Sequence, residues 1–346
     1  MNWHLIGHQW AADLLHKHVL GGNPRHAYLL TGPSGLGKTT LAVRLTQALF
    51  CENPTEPGQP CLECKSCRRV EKMEHPDLYP IQVQDNSQVI KIDQIRELQH
   101  SLSLSPYEGP FQVAVLEDFN FANTSAQNAL LKTLEEPPPH VILILTAENS
   151  DDLLETIVSR CEGIQLRLVP LETLKQALHH RYSLSEEEAE KLAHLSNGRP
   201  GIALEFAESP DQLKQWDRRI QEHQKLLSSS LADRFQYAKK FKSDSKKFQA
   251  ITETWISLWR DVLLTAADAD APLTNLGHIR EIQQLASQVD LRTARTIIQQ
   301  LEKTHRSLQL YANTQLTIEN LMLHLPSFSA GSLDRIPPSF SPSHNP

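Results

Sequence analysis

Residues 32–39 read G-P-S-G-L-G-K-T and fit the pattern G-x-x-x-x-G-K-[ST], which marks a phosphate-binding loop. The strand pattern Ala27–Thr31 comes directly before this stretch, and a helical pattern with Leu41, Leu45 and Leu49 in register starts at Lys38. Its glycines allow backbone N–H groups to face phosphates, and the following helix presents its positive N-terminus. A strand-to-helix turn without a ligand is the alternative interpretation.

We expect this phosphate loop to bind ATP with Mg2+. Lys38 is predicted to reach the β and γ phosphates, and Thr39 to ligate the metal ion. The predicted nucleotide-binding residues are Gly32, Pro33, Ser34, Gly35, Leu36, Gly37, Lys38, Thr39 and Thr40.

Strand and helix patterns alternate in the first half of the chain. A helix is predicted near Trp10–Leu20, and strands at Leu78–Ile81, Val113–Leu116 and Val141–Thr146. The prolines at 137–139 should end the helix before the last of these strands. This alternation predicts an α/β domain with a parallel, doubly wound sheet.

The second half is predicted to be all-α, because strand patterns stop near residue 166 and amphipathic segments follow. These helical segments are Leu171–Arg181, Ser185–Leu195, Asp211–Leu227, Asp244–Ala266 and Asp290–Tyr311. From Pro326 the chain is rich in proline and serine, which predicts a disordered tail at 326–346.

The bulk properties exclude several classes of protein. The 346 residues are long for one core, and no apolar run approaches the roughly 20 residues of a bilayer-spanning helix. No charged region followed by an apolar signal core is present, so we expect a soluble, cytoplasmic protein that does not associate with a membrane. A net charge of −7 means that the chain as a whole does not bind DNA as a polycation.

Two acidic residues follow the strand pattern at Val113–Leu116. Glu117 and Asp118 are candidates for orienting Mg2+ and the attacking water, a role that acids at the end of a neighbouring strand serve in nucleotide hydrolysis. Acids that merely end a strand are the alternative.

Four cysteines with metal-site spacing lie in an insertion after the loop helix. Cys51, Cys61, Cys64 and Cys67 offer four thiolates, enough for tetrahedral Zn2+. No general base near an open position is apparent, which favours a closed structural site; free or paired thiols are the alternative. His75 is a possible substitute ligand, although a lone histidine is more typically a surface residue.

With these motifs, residues 4–205 resemble the clamp-loader AAA+ family of bacterial DNA polymerase III, which comprises gamma/tau motor subunits and the related delta prime subunit. The resemblance is carried by the phosphate loop, the four cysteines and short matching segments. These segments are Ile6-Gly7-His8-Gln9, His26-Ala27-Tyr28-Leu29, residues 128–138 (N-A-L-L-K-T-L-E-E-P-P) and Ser159-Arg160-Cys161.

The resemblance implies an AAA+ P-loop NTPase domain at 1–166 with a zinc module at 51–67, and a helical lid at 167–208. It also implies an oligomerisation collar at 209–325, where Asn313 and the Leu316–Leu325 segment resemble the final helix. Arg160 would be a trans arginine finger, directed at ATP held by a neighbouring subunit. Without the resemblance, Arg160 is better interpreted as a solvated or salt-bridged surface residue.

Two departures from the motor-subunit pattern favour the delta prime type. Glu117 stands where the metal-orienting aspartate is expected, and Asp118 where the catalytic glutamate is expected. The exchange should misplace both carboxylates by about one methylene, and errors near 1 Å can cost on the order of 100-fold in rate. In the lid segment 198–204, Gly201 stands in place of the nucleotide-sensing arginine, and Arg199 lies two positions early. A polar sensor is expected at Glu148 or Asn149.

The resemblance therefore implies a subunit that binds ATP, hydrolyses it weakly or not at all, and helps to load the sliding clamp onto primed DNA. Its expected partners are the gamma/tau and delta subunits, the clamp, and DNA through the assembled complex. A gamma/tau-type motor ATPase and a P-loop metabolite kinase are the alternatives. The lysines of a basic run in the second half either contact DNA phosphates or, more typically for a charge run, form a solvated helix face; they are Lys239, Lys240, Lys242, Lys246 and Lys247.

Overall fold

The computed structural model describes residues 3–328, except 23, 85, 86, 88, 243 and 310–312. The predicted tail therefore lies outside the described residues from 329 onward. The chain divides into two compact units. The first comprises the described residues up to Ala189 together with Gly198–Ile202, and the second comprises Glu190–Asn197 and the described residues from Ala203.

The first unit is built on a parallel sheet, as predicted, and this sheet has five strands. Its strands have the order β2-β3-β4-β1-β5. They are β1 (Ala27–Thr31), β2 (Leu78–Ile81), β3 (Gln112–Leu116), β4 (Val141–Ala147) and β5 (Glu162–Gln165). The predictions gave the bounds of β1 and β2, and fell one residue short for β3 and β4; β5 was not predicted.

Helices cover both faces of this sheet, because alternate residues of each strand enter two separate apolar clusters. Tyr28 and Leu30 belong to one cluster, and Ala27 and Leu29 to the other. The helices up to residue 189 are α1 (Gln9–Leu20), α2 (Lys38–Phe50), α3 (Lys65–Glu71), α4 (Ile92–Leu102), α5 (Thr124–Glu135), α6 (Glu155–Val158), α7 (Leu171–Tyr182) and the start of α8 (Glu186–Leu195).

The described residues after β5 form helices only, which confirms the predicted all-α second half. These helices continue as α9 (Pro200–Glu208), α10 (Pro210–Ser228), α11 (Leu231–Lys239), α12 (Ser245–Ala266), α13 (Ile279–Ala286), α14 (Leu291–Gln309) and α15 (Thr314–His324). The core of the second unit centres on α12, whose Trp255 and Trp259 are fully buried. None of the described helices is long and apolar enough to cross a membrane.

The parallel sheet determines where the polar residues of the first unit meet. The carboxyl ends of β1, β3 and β4 lie at one edge, since Leu30 pairs with Thr146 and Leu116 with Leu145. The phosphate loop, Glu117 and Glu148 each follow one of these strands. They therefore share the edge at which ligands bind in open α/β sheets.

Candidate nucleotide site and cysteine cluster

The phosphate loop adopts a backbone that requires its glycines. Gly32, Gly35 and Gly37 have φ values of 140°, 81° and 87°, a region that residues with a Cβ rarely adopt. A Cβ at Gly32 would lie 2.7 Å from the carbonyl oxygen of Leu166, whereas one at Gly37 would meet nothing nearer than 3.9 Å. Gly37 is thus needed for its backbone conformation, and Gly32 is needed also because the chain after β5 approaches it closely at Leu166.

Lys38 folds back onto the loop. Its Nζ donates hydrogen bonds to the carbonyl oxygens of Gly32, at 2.6 Å, and Pro33, at 3.2 Å. Burial lowers the pKa of Lys38, while the charges of Asp118 and Glu148 act in the opposite direction. A buried ammonium group held by two loop carbonyls is available to a phosphate at the same place.

Thr39 and Glu117 come together at the start of α2. The Thr39 hydroxyl lies 3.5 Å from Oε2 of Glu117 and is oriented to donate to it. Burial raises the pKa of Glu117, the charge of Asp118 raises it further, and the contact with Thr39 opposes both effects. A hydroxyl and a carboxylate at this spacing are the oxygen ligands that Mg2+ takes in phosphate-binding sites.

Asp118 lies beyond the end of β3 in a left-handed conformation, with φ of 46°. Its backbone N–H donates to the buried Thr146 hydroxyl at 2.8 Å, and its side chain is exposed. Of the two candidate sensors, Glu148 lies nearer the loop, because its carbonyl accepts a hydrogen bond from the Gly32 N–H and its charge acts on Lys38. Sequence reasoning did not single out Thr146, since a threonine inside a buried strand gives no distinctive pattern.

The start of α9 lies directly on the phosphate loop. The Gly201 N–H donates to the Gly35 carbonyl at 2.8 Å, and a Cβ at residue 201 would lie 3.1 Å from that oxygen. From the other side, a Cβ at Gly35 would lie 2.7 Å from Cγ1 of Ile202. A side chain at position 201 would therefore be tight against the loop, because its Cβ would require the Gly35 carbonyl or α9 to shift by a few tenths of an ångström.

His8 also lies against the loop, although the sequence gave it no role. Its Nε2 is buried without a hydrogen-bond partner. Burial lowers the pKa of His8, and a hydrogen bond with the backbone of Leu36 opposes that effect. An unpaired buried nitrogen beside a phosphate loop leaves a donor or acceptor available to a ligand.

Arg160 contacts surface residues and not the phosphate loop. Its guanidinium pairs with Oε1 of Glu135 at 2.9 Å and donates to the Thr156 carbonyl at 2.9 Å. The Arg160 side chain is 36% exposed and that of Glu135 50%. Within this chain Arg160 therefore makes the surface salt bridge that its residue type alone predicts. The neighbouring Cys161 is half-buried, and burial raises the pKa of its thiol to about 12.

The four predicted metal ligands lie together. The Sγ atoms of Cys51, Cys61, Cys64 and Cys67 are all within 4.8 Å of one another. Cys51 ends α2, while Cys64 caps α3 and accepts a hydrogen bond from the Cys67 N–H. Because two helix ends and one loop supply the thiols, the local fold holds them together.

Backbone N–H groups point at these sulfurs, an arrangement that stabilises thiolates. The Cys61 N–H donates to the Cys51 sulfur at 3.3 Å, and the Cys64 N–H to the Cys61 sulfur at 3.2 Å. Burial raises the pKa of Cys61, but hydrogen bonds from Glu63 and Cys64 outweigh it and bring the pKa to about 7. Burial raises the pKa values of Cys51 and Cys67. The donor set and spacing fit tetrahedral Zn2+.

His75 is not part of this cluster. Its ring stacks on Phe50 with centroids 4.4 Å apart, and its Nδ1 accepts a hydrogen bond from the Asp77 N–H at 3.2 Å. Only 4% of the residue is exposed, so the expectation of a surface histidine was wrong. It is a buried histidine, and the apolar ring of Phe50 beside it explains its position.

Two family models match the chain. One is described as DNA polymerase III, delta subunit, and matches residues 7–170; the other is described as DNA polymerase III, delta subunit, C terminal, and matches residues 213–326. Together they cover most of the described residues of both units.

Several proteins are similar to this chain. The DNA polymerase III subunit gamma of Buchnera aphidicola is 30% identical over 60% of the chain, and the subunit delta prime of Pseudomonas aeruginosa is 37% identical over 52%. The matches span 62% and 56% of these two relatives, less than two thirds of their length. The subunit delta prime of Bacillus subtilis is 28% identical, with 90% of the chain and 94% of the relative covered. A solved DNA polymerase III gamma subunit-related protein from Thermotoga maritima is 17% identical, with a TM-score of 0.48 over 92% of this chain and 98% of that one.

Proposed function

Because this chain belongs to the clamp-loader family of DNA polymerase III subunits, we propose that it is a subunit of the delta prime type. In this proposal the chain binds ATP at its phosphate loop and hydrolyses it slowly or not at all. It donates Arg160 to the nucleotide of a neighbouring motor subunit, within a complex that loads the sliding clamp onto primed DNA. The single observation that carries the proposal is the position of Gly201 against Gly35, because a glycine stands there in place of the arginine of the motor subunits.

Nucleotide binding is supported by the residues that meet at the carboxyl edge of the sheet. Lys38 would exchange the carbonyl oxygens of Gly32 and Pro33 for the β and γ phosphates, and the glycine backbone would donate its N–H groups. Thr39 and Glu117 would hold Mg2+, which neutralises phosphate charge when bound.

Slow hydrolysis is supported by the two acids after β3. Glu117 reaches toward Thr39, so the longer acid occupies the metal side of the site. The shorter Asp118 then remains to orient a water molecule, and its side chain is exposed in a left-handed turn. A carboxylate displaced by about 1 Å from an attacking water costs on the order of 100-fold in rate.

A role of Arg160 in trans is supported by the exposure of its guanidinium, which is accessible to a neighbouring subunit. The salt bridge with Glu135 is half-exposed, and such a pair contributes about 0–1 kcal/mol. Exchanging Glu135 for a phosphate on another subunit therefore costs little. An arginine that stabilises the charge of a transferring phosphoryl group raises the rate by roughly 10³–10⁵.

The remaining regions would serve assembly. We assign the helices within 209–325 to an oligomerisation collar and the helices within 167–208 to a lid. The four cysteines would hold Zn2+ in a closed structural site, since their thiols occupy all four positions of a tetrahedron.

A gamma/tau-type motor ATPase is the second candidate, and the contact between Thr39 and Glu117 favours it, because that contact preserves a usable metal site. The two candidates differ in where hydrolysis takes place. Steady-state ATPase should be measured for the purified chain alone, and for the chain with motor subunits, clamp and primed DNA. We expect negligible turnover by the chain alone, and turnover in the complex that falls by roughly 10³ or more with Arg160→Ala.

Arg25→Ala is the matched control, because Arg25 makes an exposed pair with Glu162 and is also in the first unit. It should leave the activity of the complex unchanged. Robust turnover by the chain alone that disappears with Lys38→Ala would contradict the delta prime assignment and support the motor.

A further inference from the structure

The second unit contains a concave pocket that the nucleotide site does not use. It has a volume of about 360 Å³ and lies between α10, the end of α11 and the start of α12. Four cationic side chains line it, Arg218, Arg219, Lys240 and Lys247, against one carboxylate, Glu222. In a chain with a net charge of −7, this pocket is a local concentration of positive charge.

The single carboxylate offsets one of the four positive charges, and both of its oxygens are engaged. Oε1 of Glu222 accepts from Nε of Arg218 at 3.0 Å, and Oε2 accepts from the Tyr237 hydroxyl at 3.0 Å. Within the described part of the chain, no carboxylate oxygen lies within 4.0 Å of Arg219, Lys240 or Lys247. The charge of Glu253 acts on Arg219 from a greater distance.

Each of the two lysines lies over an aromatic ring. The Lys240 ammonium lies 5.5 Å from the ring centroid of Tyr237, and that of Lys247 lies 6.0 Å from the centroid of Phe241. These are cation–π distances, and both rings are themselves buried. Both lysines are exposed, so their ammonium groups lie over buried rings and remain accessible to a ligand.

Arg219 is fixed in place. Its guanidinium donates to the Ala250 carbonyl at 3.2 Å and to the Thr254 hydroxyl at 3.4 Å, both on α12. Burial is the main cause that lowers the pKa of Arg219. A partly buried guanidinium without a close carboxylate gains most from an anionic ligand, since an unpaired charge is costly to bury.

We propose that this pocket binds the phosphate backbone of a single-stranded nucleic acid. A groove lined by cations that follows the phosphate backbone is one feature by which proteins hold single strands without reading their sequence, and here the buried rings contact the lysines and are not stacking surfaces for bases. A concave pocket of this volume admits one nucleotide of a flexible strand, whereas the phosphates of a duplex lie on a stiff, convex surface. Of the five lysines in the basic run, only Lys240 and Lys247 line the pocket.

Binding of a fluorescein-labelled oligothymidylate to the full chain, measured by anisotropy without ATP, tests this proposal. Lys240→Ala/Lys247→Ala should weaken binding about tenfold or more, and should reduce the slope of log Kd against log salt by roughly 1.4, the value for two lost phosphate contacts on a single strand. The matched control is Lys239→Ala/Lys246→Ala, which removes the same charge from the same exposed run but outside the pocket. It should retain most of the affinity and the slope.

Two results would overturn the proposal: no loss of oligonucleotide affinity in the pocket variant, or an equal loss in both variants. Unchanged affinity together with loss of assembly with other subunits would make the pocket a protein contact. Where the alanine pair lowers the melting temperature, Lys240→Gln/Lys247→Gln keeps most of each side chain without its charge and must give the same loss. Because the assay contains no nucleotide triphosphate, its failure is distinct from a failure of the proposed ATP site.

Discussion

Gly35→Ala tests whether α9 lies on the phosphate loop as the structure has it. The substitution introduces a Cβ at a φ of 81°, which costs about 1–2 kcal/mol of stability. That Cβ would also lie 2.7 Å from Cγ1 of Ile202, and overpacking of this kind costs about 1–3 kcal/mol more. We therefore expect a total loss of about 2–5 kcal/mol.

Gly37→Ala is the matched control, since its φ is 87° but its Cβ would meet nothing nearer than 3.9 Å. It should cost only the conformational part, about 1–2 kcal/mol. The double variant Gly35→Ala/Ile202→Ala removes the clash and should recover the difference, which gives a coupling energy of about 1–3 kcal/mol. Native-state amide hydrogen exchange of β1, without nucleotide, measures these energies where the loop is attached.

The reasoning fails if Gly35→Ala and Gly37→Ala reduce the protection of β1 by the same amount. It also fails if Ile202→Ala destabilises the wild-type and Gly35→Ala backgrounds equally. Either result would mean that Ile202 of α9 does not press on the loop in solution.

Three further predictions concern other parts of the chain. Cys64→Ser should reduce metal content from roughly one Zn2+ per chain, measured by mass spectrometry of the metal, whereas Cys161→Ser should leave it unchanged. Glu135→Gln frees Arg160 from a salt bridge worth at most about 1 kcal/mol, so the ATPase rate of the assembled complex should rise by no more than about fivefold. The control Glu136→Gln should have no effect on that rate. A lower rate with Glu135→Gln would mean that Glu135 positions the arginine. Complete burial lowers the pKa of His223 from 6.5 to about 3, so the unfolded chain binds the proton first as the pH falls. The contribution of neutral His223 to the free energy of unfolding is fully present above pH 6.5 and should be lost toward pH 3 by about 1.4 kcal/mol per pH unit. Urea unfolding of the chain, followed by tryptophan fluorescence, measures this slope, and His223→Gln should reduce it.

Sequence reasoning succeeded where one short stretch carries its own physical signal. The loop at 32–39 and the thiols at 51–67 are local patterns, and the structure brings the members of each pattern together. The strand β1 and the start of α2 were predicted to the residue, because buried strand residues and the loop glycines delimit them on both sides. The strand β5 was missed because Glu162–Gln165 has only one fully buried side chain and no alternation of apolar residues.

The contacts that were not predicted join residues far apart in the chain. Nothing near Gly35 indicates that Gly201 donates to its carbonyl, and nothing near His75 indicates that Phe50 stacks on its ring. The basic run gave the same ambiguity. Its five lysines look alike in sequence, and only the packing of α10 against α12 separates the two that line the pocket.

The same distinction between local and distant residues bears on the proposed separation of nucleotide binding from hydrolysis. Binding depends mainly on the loop itself, whose backbone and Lys38 are already arranged around a phosphate position. Hydrolysis depends on groups from elsewhere: an acid after β3, a side chain at the start of α9 and an arginine from another subunit. At position 201 the missing arginine is accompanied by a backbone hydrogen bond to Gly35, so adding the side chain alone would meet the loop at 3.1 Å. In the proposed function, packing at Gly35 therefore adds to the effect of residue type, because a side chain at position 201 would require α9 or the loop carbonyl to shift by a few tenths of an ångström.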